Sequence, residues 1–274
     1  MRPTLFLIPA LLSSAACSSQ ADYARKTGVE GNPEAVARAT ASAAGAEAVE
    51  VKQTAEKDGG TWEFAYSWPR AVSAEPELAK LLSAEREKAQ AEDKAAWEKD
   101  VAALAGDGDC GGCRNRSFGK QWKVVADLPG WLSLSADTSG YTGGAHGMYG
   151  VQSLVWDKTR KVAVDGAALF QSPAALQQAL GATLCDALNR ERVKKGMEPV
   201  TASDSVFPAC PGLDEATVLV GSSNGATFDR ITVYYGPYVA GSYAEGAYEL
   251  NFPVTRAMAA AVKPEYRAAF SAQT

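Results

Sequence analysis

The chain has 274 residues, of which 46% are hydrophobic and 22% charged, with 32 acidic against 27 basic side chains and a formal net charge of −5. That composition describes a globular protein with enough apolar residues for a sizeable core. The acidic balance argues against nucleic acid as a partner, because phosphate backbones are held by lysine and arginine, and it favours a cationic partner through long-range attraction.

The first residues read as an export signal. Arg2 supplies a positive start, Leu5–Leu12 form a short apolar run, and the small residues Ser13–Ala16 lead into Cys17. The run is too short to span a bilayer. The pattern is that of a bacterial lipoprotein signal over residues 1–17, with Cys17 as the lipidated residue; Ser14 departs from the leucine usual three positions before the cysteine. An ordinary signal with an incidental Cys17 is the alternative. Lipidation would tie the chain to a membrane through lipid alone. Ser18, not Asp, follows Cys17, which favours a periplasmic lipoprotein of the Gram-negative envelope anchored in the outer membrane. Loss of Arg2 with the signal takes the net charge to about −6. Residues 18–45, rich in Ala, Gly, Ser and charge, are expected to form a flexible tether with a mean reach of roughly 30 Å.

Folded structure is expected from Ala48 onward. Val49 and Val51 alternate with charge, Gly59 and Gly60 form a turn, and Trp62, Phe64, Tyr66 and Trp68 alternate as in a half-buried strand ended by Pro69. Leu78, Leu81, Leu82, Trp97, Val101 and Leu104 recur at helical spacing over Pro76–Leu104. Strands are expected near Trp122–Leu128, Trp131–Ala136 and Tyr149–Trp156. A second helix, Pro173–Lys195, is striped by Leu176, Leu180, Leu184 and Leu188. Strands at Thr217–Gly221 and Thr227–Tyr235 flank Asn224-Gly225, a strong hairpin signal. A strand at Ala247–Pro253 and a short helix at Thr255–Val262 follow. Without regular βαβ alternation, the fold class is α+β, with mainly antiparallel sheets, a long helix in each half, and two small packed domains at 46–149 and 150–274.

Besides Cys17 there are four cysteines, an even number that suits export and suggests two disulfides. Cys110–Cys113 and Cys185–Cys210 are the expected pairs, each falling within one domain; the other two connectivities stay open. Cys110-Gly111-Gly112-Cys113 has redox and zinc readings too, but it follows a helix and no second close pair exists to complete a zinc site.

The single histidine, His146, lies in Tyr141-Thr142-Gly143-Gly144-Ala145-His146-Gly147. Three glycines in five residues imply a tight backbone path with positive φ at one or more of them. The loop is either a ligand cradle with His146 as a base, or a structural turn whose imidazole bonds to backbone. Gly221-Ser222-Ser223-Asn224-Gly225 matches a hydrolase nucleophile pattern, yet a strand rather than a helix follows it, and the histidine precedes it. Ser117-x-x-Lys120 and Lys26-Thr27-Gly28 fit patterns of penicillin-recognising enzymes, but the second lies in the tether, before the first, and no Ser-Asp-Asn element is present. No general acid and base pair, phosphate loop, metal cluster or cofactor motif is visible, and no catalytic residue is assigned.

Two stretches together carry a resemblance. One is Tyr141–Gly147, with Trp156-Asp157 and Leu169-Phe170 after it; the other is Tyr235-Gly236-Pro237-Tyr238-Val239-Ala240, then Ser242–Gly246 and Leu250–Pro253. Their order resembles the paired extracytoplasmic domains of the RsiV-type lysozyme-sensing anti-sigma factors, a pair found also in PdaC-type peptidoglycan deacetylases, over about Ala48–Val262. The resemblance implies a PdaC-like domain at 46–149 and an RsiV-like C-terminal domain at 150–274, with neither the separate metal-dependent deacetylase domain nor the anti-sigma segment expected here. It implies a non-enzymatic envelope module binding a lysozyme-like muramidase or peptidoglycan. The alternatives are a cell-wall hydrolase or deacetylase with an unrecognised site, and a structural envelope scaffold. Tyr141, Tyr149, Tyr235, Tyr238 and Tyr243 are candidates to stack on sugars or anchor a protein interface, against a role as core and cross-strand aromatics.

Overall fold

In a computed structural model, residues 45–273 are described apart from 105–109, 111 and 201–206. The expected signal, Cys17 and nearly all of the tether lie outside the described residues. The fold is α+β with two sheets. Strands β1 (Val49–Lys57), β2 (Gly60–Trp68), β3 (Arg116–Leu128), β4 (Trp131–Tyr141), β5 (Met148–Asp157) and β6 (Val162–Val164) form the first, in chain order. Strands β7 (Thr217–Gly221), β8 (Arg230–Tyr235) and β9 (Tyr248–Pro253) form the second, which is antiparallel throughout. In the first sheet β2 and β3 run parallel, and the long crossover between them is helix α1 (Pro76–Ala103).

The alternation in β2 buries one face of the sheet. Trp62, Phe64, Tyr66 and Trp68 meet Leu78, Leu82, Trp97 and Val101 of α1, with Trp122, Leu134 and Trp156 from later strands. Leu81, counted in the helical stripe, stands exposed at the edge of this contact. Lys120 is almost fully buried here. It pairs with Glu85 and lies 4.6 Å from the Trp122 ring centroid, so the lysine of the Ser-x-x-Lys pattern belongs to the core.

A β-bulge lets the same sheet serve a second core. The β3–β4 register steps from Val124↔Leu134 to Ala126↔Ser133, leaving Val125 as an extra residue. An extra residue reverses the side-chain alternation. Val124 therefore faces α1, whereas Ala126 and Leu128 face the other side. There they join Val155, helices α2 (Pro173–Leu180) and α3 (Ala182–Lys194), the second sheet, and helix α4 (Arg256–Ala261). The sheets approach closely at Gly166, where a Cβ would stand 2.0 Å from the Val218 carbonyl oxygen.

The expected helix Pro173–Lys195 is two helices. Ser172 caps α2 by accepting from the Ala175 amide, and Pro173 occupies its first turn. The break falls at Gly181, in a positive-φ conformation open to glycine. Strand β3 begins six residues before its expected start, because its polar first half is held as a strand between β2, which pairs with it in parallel, and β4, which pairs antiparallel. The boundary expected at residue 150 falls inside β5, which bonds to β4 on one side and β6 on the other. Both expected disulfides, Cys110–Cys113 and Cys185–Cys210, are present.

Candidate functional site

The loop from Tyr141 to Gly147 joins β4 to β5, and its path depends on glycine. Gly143 and Gly144 have φ of +88° and +97°. A Cβ on Gly143 would stand 3.2 Å from Cys113 Cα, and one on Gly147 2.7 Å from the Gly140 carbonyl oxygen. The Tyr141 hydroxyl donates to the Gly144 carbonyl at 2.9 Å and so braces the loop from within. Thr142 is exposed.

The second stretch turns at Gly236-Pro237-Tyr238-Val239. The Val239 amide donates to the Gly236 carbonyl at 3.2 Å, and Tyr238 has φ of +71°. Proline second and positive φ third define a type II turn, in which the third position ordinarily falls to glycine or asparagine. A tyrosine there carries local strain of about 1 kcal/mol or more. Its side chain is nonetheless half exposed.

The tertiary structure brings these stretches together at the surface. The His146 ring stacks on Tyr243, with centroids 3.7 Å apart and planes within 19°. His146 Nε2 lies 3.2 Å from the Tyr238 hydroxyl, and Nδ1 lies 2.9 Å from the Gly147 carbonyl oxygen. A carbonyl only accepts, so Nδ1 carries a hydrogen, and in the neutral ring Nε2 accepts from Tyr238. The Tyr243 hydroxyl donates to the same Gly147 carbonyl at 2.8 Å. Tyr149 meets Tyr243 edge to face at 6.0 Å, and burial raises its phenol above the ordinary value. His146, Tyr149, Tyr238 and Tyr243 thus form one aromatic platform, from residues up to 97 positions apart in sequence. Both His146 nitrogens are engaged, so the ring acts as a clasp between the two stretches.

Tyr235 is different. It is fully buried, donates its hydroxyl to the Pro211 carbonyl at 2.9 Å, and has its phenol pushed up by burial. Its place as a candidate surface contact is corrected: strand alternation points it into the second core, whereas Tyr238, past the turn, points out.

Arg192 and Lys195, outside both stretches, support the platform together with Glu245 of the second. Arg192, buried in α3, donates to Asn189 Oδ1 and to the carbonyls of Ala209, Pro208 and Ala240, which holds the segment carrying Tyr238. Lys195 donates to the carbonyls of Glu245 and Ala247 at 2.8 and 2.5 Å. Glu245 caps the turn after Tyr243 by accepting from the Ser242 amide and the Tyr248 hydroxyl. Burial alone would raise the Glu245 carboxyl, but the hydrogen bonds from Tyr248 and Ser242 outweigh it and hold the group below its usual range. The helical positions of Arg192 and Lys195 look like any solvated basic residues in sequence.

The Gly221–Gly225 pattern is a hairpin loop. Asp229 accepts from the Ser223 amide and hydroxyl, and β8 follows directly. Among the described residues no group of three His, Cys, Asp or Glu could hold a metal ion, and no helix is long and apolar enough to cross a membrane.

Residues 55–149 match the family model described as deacetylase PdaC. Among solved structures, the chain is similar to a DUF3298 family member from Bacteroides fragilis, at 18% identity over 76% of this chain and 89% of that one, with a TM-score of 0.46. It is similar also to a DUF3298 family protein from Pseudomonas aeruginosa, at 17% identity over 83% of this chain and 98% of that one, with a TM-score of 0.44. No curated protein matches the chain. The match to the family model ends at Tyr149, so of the platform it takes in His146 and Tyr149 but neither Tyr238 nor Tyr243.

Proposed function

We propose that this protein is an envelope lipoprotein, held to the outer membrane through Cys17, whose folded part binds peptidoglycan without turning it over. The observation that carries the reading is Tyr238: a strained tyrosine, half exposed, clasped by His146 beside Tyr243 and Tyr149. Backbone strain kept at a surface is a mark of ligand contact. Flat aromatic faces with hydroxyls at their edges suit sugar rings, which stack by their C–H faces and bond by their hydroxyls. The engagement of both His146 nitrogens favours binding over general-base chemistry. The PdaC likeness of residues 55–149 supports a cell-wall setting.

A second reading, a lysozyme-like muramidase as ligand, is favoured by the acidic balance of the chain, since opposite charge speeds association. One experiment separates the two. The protein from Ala48 to Thr274 is sedimented with insoluble peptidoglycan and, in parallel, titrated with lysozyme by calorimetry at low and moderate salt. The expected result is co-sedimentation that falls about tenfold in Tyr238→Ala, the loss of one well-placed aromatic contact. Binding to lysozyme that persists at moderate salt would favour the second reading, since screening removes simple charge attraction. No binding to either ligand, or undiminished binding by Tyr238→Ala, overturns the proposal.

A further inference from the structure

The two stretches that build the platform carry almost no charge. In a protein that is 22% charged, Thr138–Trp156 contains no Asp, Glu, Lys or Arg, and neither does Ile231–Ala244. Charged groups beside them are engaged elsewhere. Glu245 accepts from the Ser242 amide and the Tyr248 hydroxyl. Lys195 donates to the carbonyls of Glu245 and Ala247, with its ammonium 4.0 Å from the Tyr248 ring centroid. Asp137 pairs with Lys123.

The polar hydrogens of the rings are spent as well. The Tyr238 hydroxyl donates to His146 Nε2. The Tyr243 hydroxyl and His146 Nδ1 both donate to the Gly147 carbonyl, which fills its two lone pairs. What these three side chains still present is acceptors, the phenol oxygens of Tyr238 and Tyr243, together with ring faces. His146 is exposed although one face lies on Tyr243, so its other face is the open one. The half-exposed Tyr238 ring stands beside it, with centroids 6.4 Å apart and planes within 30°.

This surface selects by charge and by hydrogen-bond direction. An anion needs donors, and the three side chains have none to give. A cation can rest on a ring face, but no free carboxylate stands in either stretch to pair with it. Any charge laid there loses water without gaining a counter-charge. An uncharged sugar meets both demands: its hydroxyl and amide hydrogens suit the phenol oxygens, and its C–H face suits the rings. We propose that the platform binds an uncharged glycan, the N-acetylated hexosamine backbone of peptidoglycan, and takes neither the charged stem peptides nor a cationic protein. The inference rests on the peptidoglycan-binding reading above and names the part of the polymer that is recognised.

The test sediments the protein with insoluble chitin, a neutral N-acetylated hexosamine polymer, and with polylysine-coated beads, at low and moderate salt. Peptidoglycan is run in parallel. Retention on chitin is expected to change less than about twofold between the two salts, whereas retention on polylysine fades as charge attraction is screened. Tyr238→Phe keeps the ring and removes the acceptor, with near-UV circular dichroism checking the fold. It is expected to weaken chitin binding about three- to tenfold, the loss of one hydrogen bond. No retention on chitin overturns the proposal. So does chitin binding that needs low salt, undiminished binding by Tyr238→Phe, or polylysine binding that persists at moderate salt and exceeds that on chitin. Binding to peptidoglycan without binding to chitin overturns this inference alone. Binding to chitin without binding to peptidoglycan overturns the cell-wall reading and leaves the recognition chemistry standing.

Discussion

Arg192 offers the sharpest test of how the fold holds its surface. The guanidinium is 1% exposed and spends its donors on Asn189 Oδ1 and the carbonyls of Ala209, Pro208 and Ala240, at 2.8 to 3.1 Å. Arg192→Met keeps the apolar stem and removes every donor. The Ala240 carbonyl, buried with its residue, loses its cation outright; those of Ala209 and Pro208 are nearer water and recover part of the loss. Asn189 Oδ1 keeps the Val200 amide. At about 1 to 3 kcal/mol for each buried acceptor left unpaired, offset in part by no longer desolvating a cation, the net loss is about 3 kcal/mol. With an m-value of about 2 to 3 kcal/mol/M for a chain of this size, the urea midpoint of the oxidised protein should fall by about 1 M. A fall of less than about 0.3 M, or a rise, would refute the reasoning. It would mean that burying the charge costs as much as its four bonds return.

Ser133 tests the opposite case. It is fully buried between the two cores and its hydroxyl has no partner among the described residues. Ser133→Ala should therefore raise stability by about 1 kcal/mol, read as a higher melting temperature; a loss of that size would reveal a bond to the hydroxyl. The Glu245 carboxyl is held low, so its contribution is fully present above the unfolded-state value of about 4 and is lost as pH falls through its lower folded value. Tyr248→Phe removes the 2.7 Å bond that helps to hold it there. The acid-unfolding midpoint, followed by near-UV circular dichroism, should move to higher pH, and an unmoved midpoint would count against that linkage.

Local pattern was enough for much of this protein. Trp62, Phe64, Tyr66 and Trp68 alternate because one face of β2 is buried and the other is not, and the leucines of α2 and α3 repeat for the same reason on a helix. Asn224-Gly225 marks a hairpin because few residues tolerate its backbone, and Gly225 does have φ of +69°. The glycine-rich path around His146 was legible on the same grounds. Position across the chain was not. The bulge at Val125 reverses which side of the sheet β3 presents, and nothing in Val124-Val125-Ala126 announces it, since each residue suits either face. The first half of β3 is polar and becomes a strand because β2 and β4 pair with it on either side. Tyr235 and Tyr238 sit three residues apart, yet one is core and the other surface, because a turn intervenes. The platform itself is wholly tertiary: His146 meets Tyr238 and Tyr243 only when the second sheet packs on the first. A sequence records which residues suit a strand, a helix or a turn, because those preferences are local. Which distant side chains share a surface depends on sheet packing and register, which no single residue encodes.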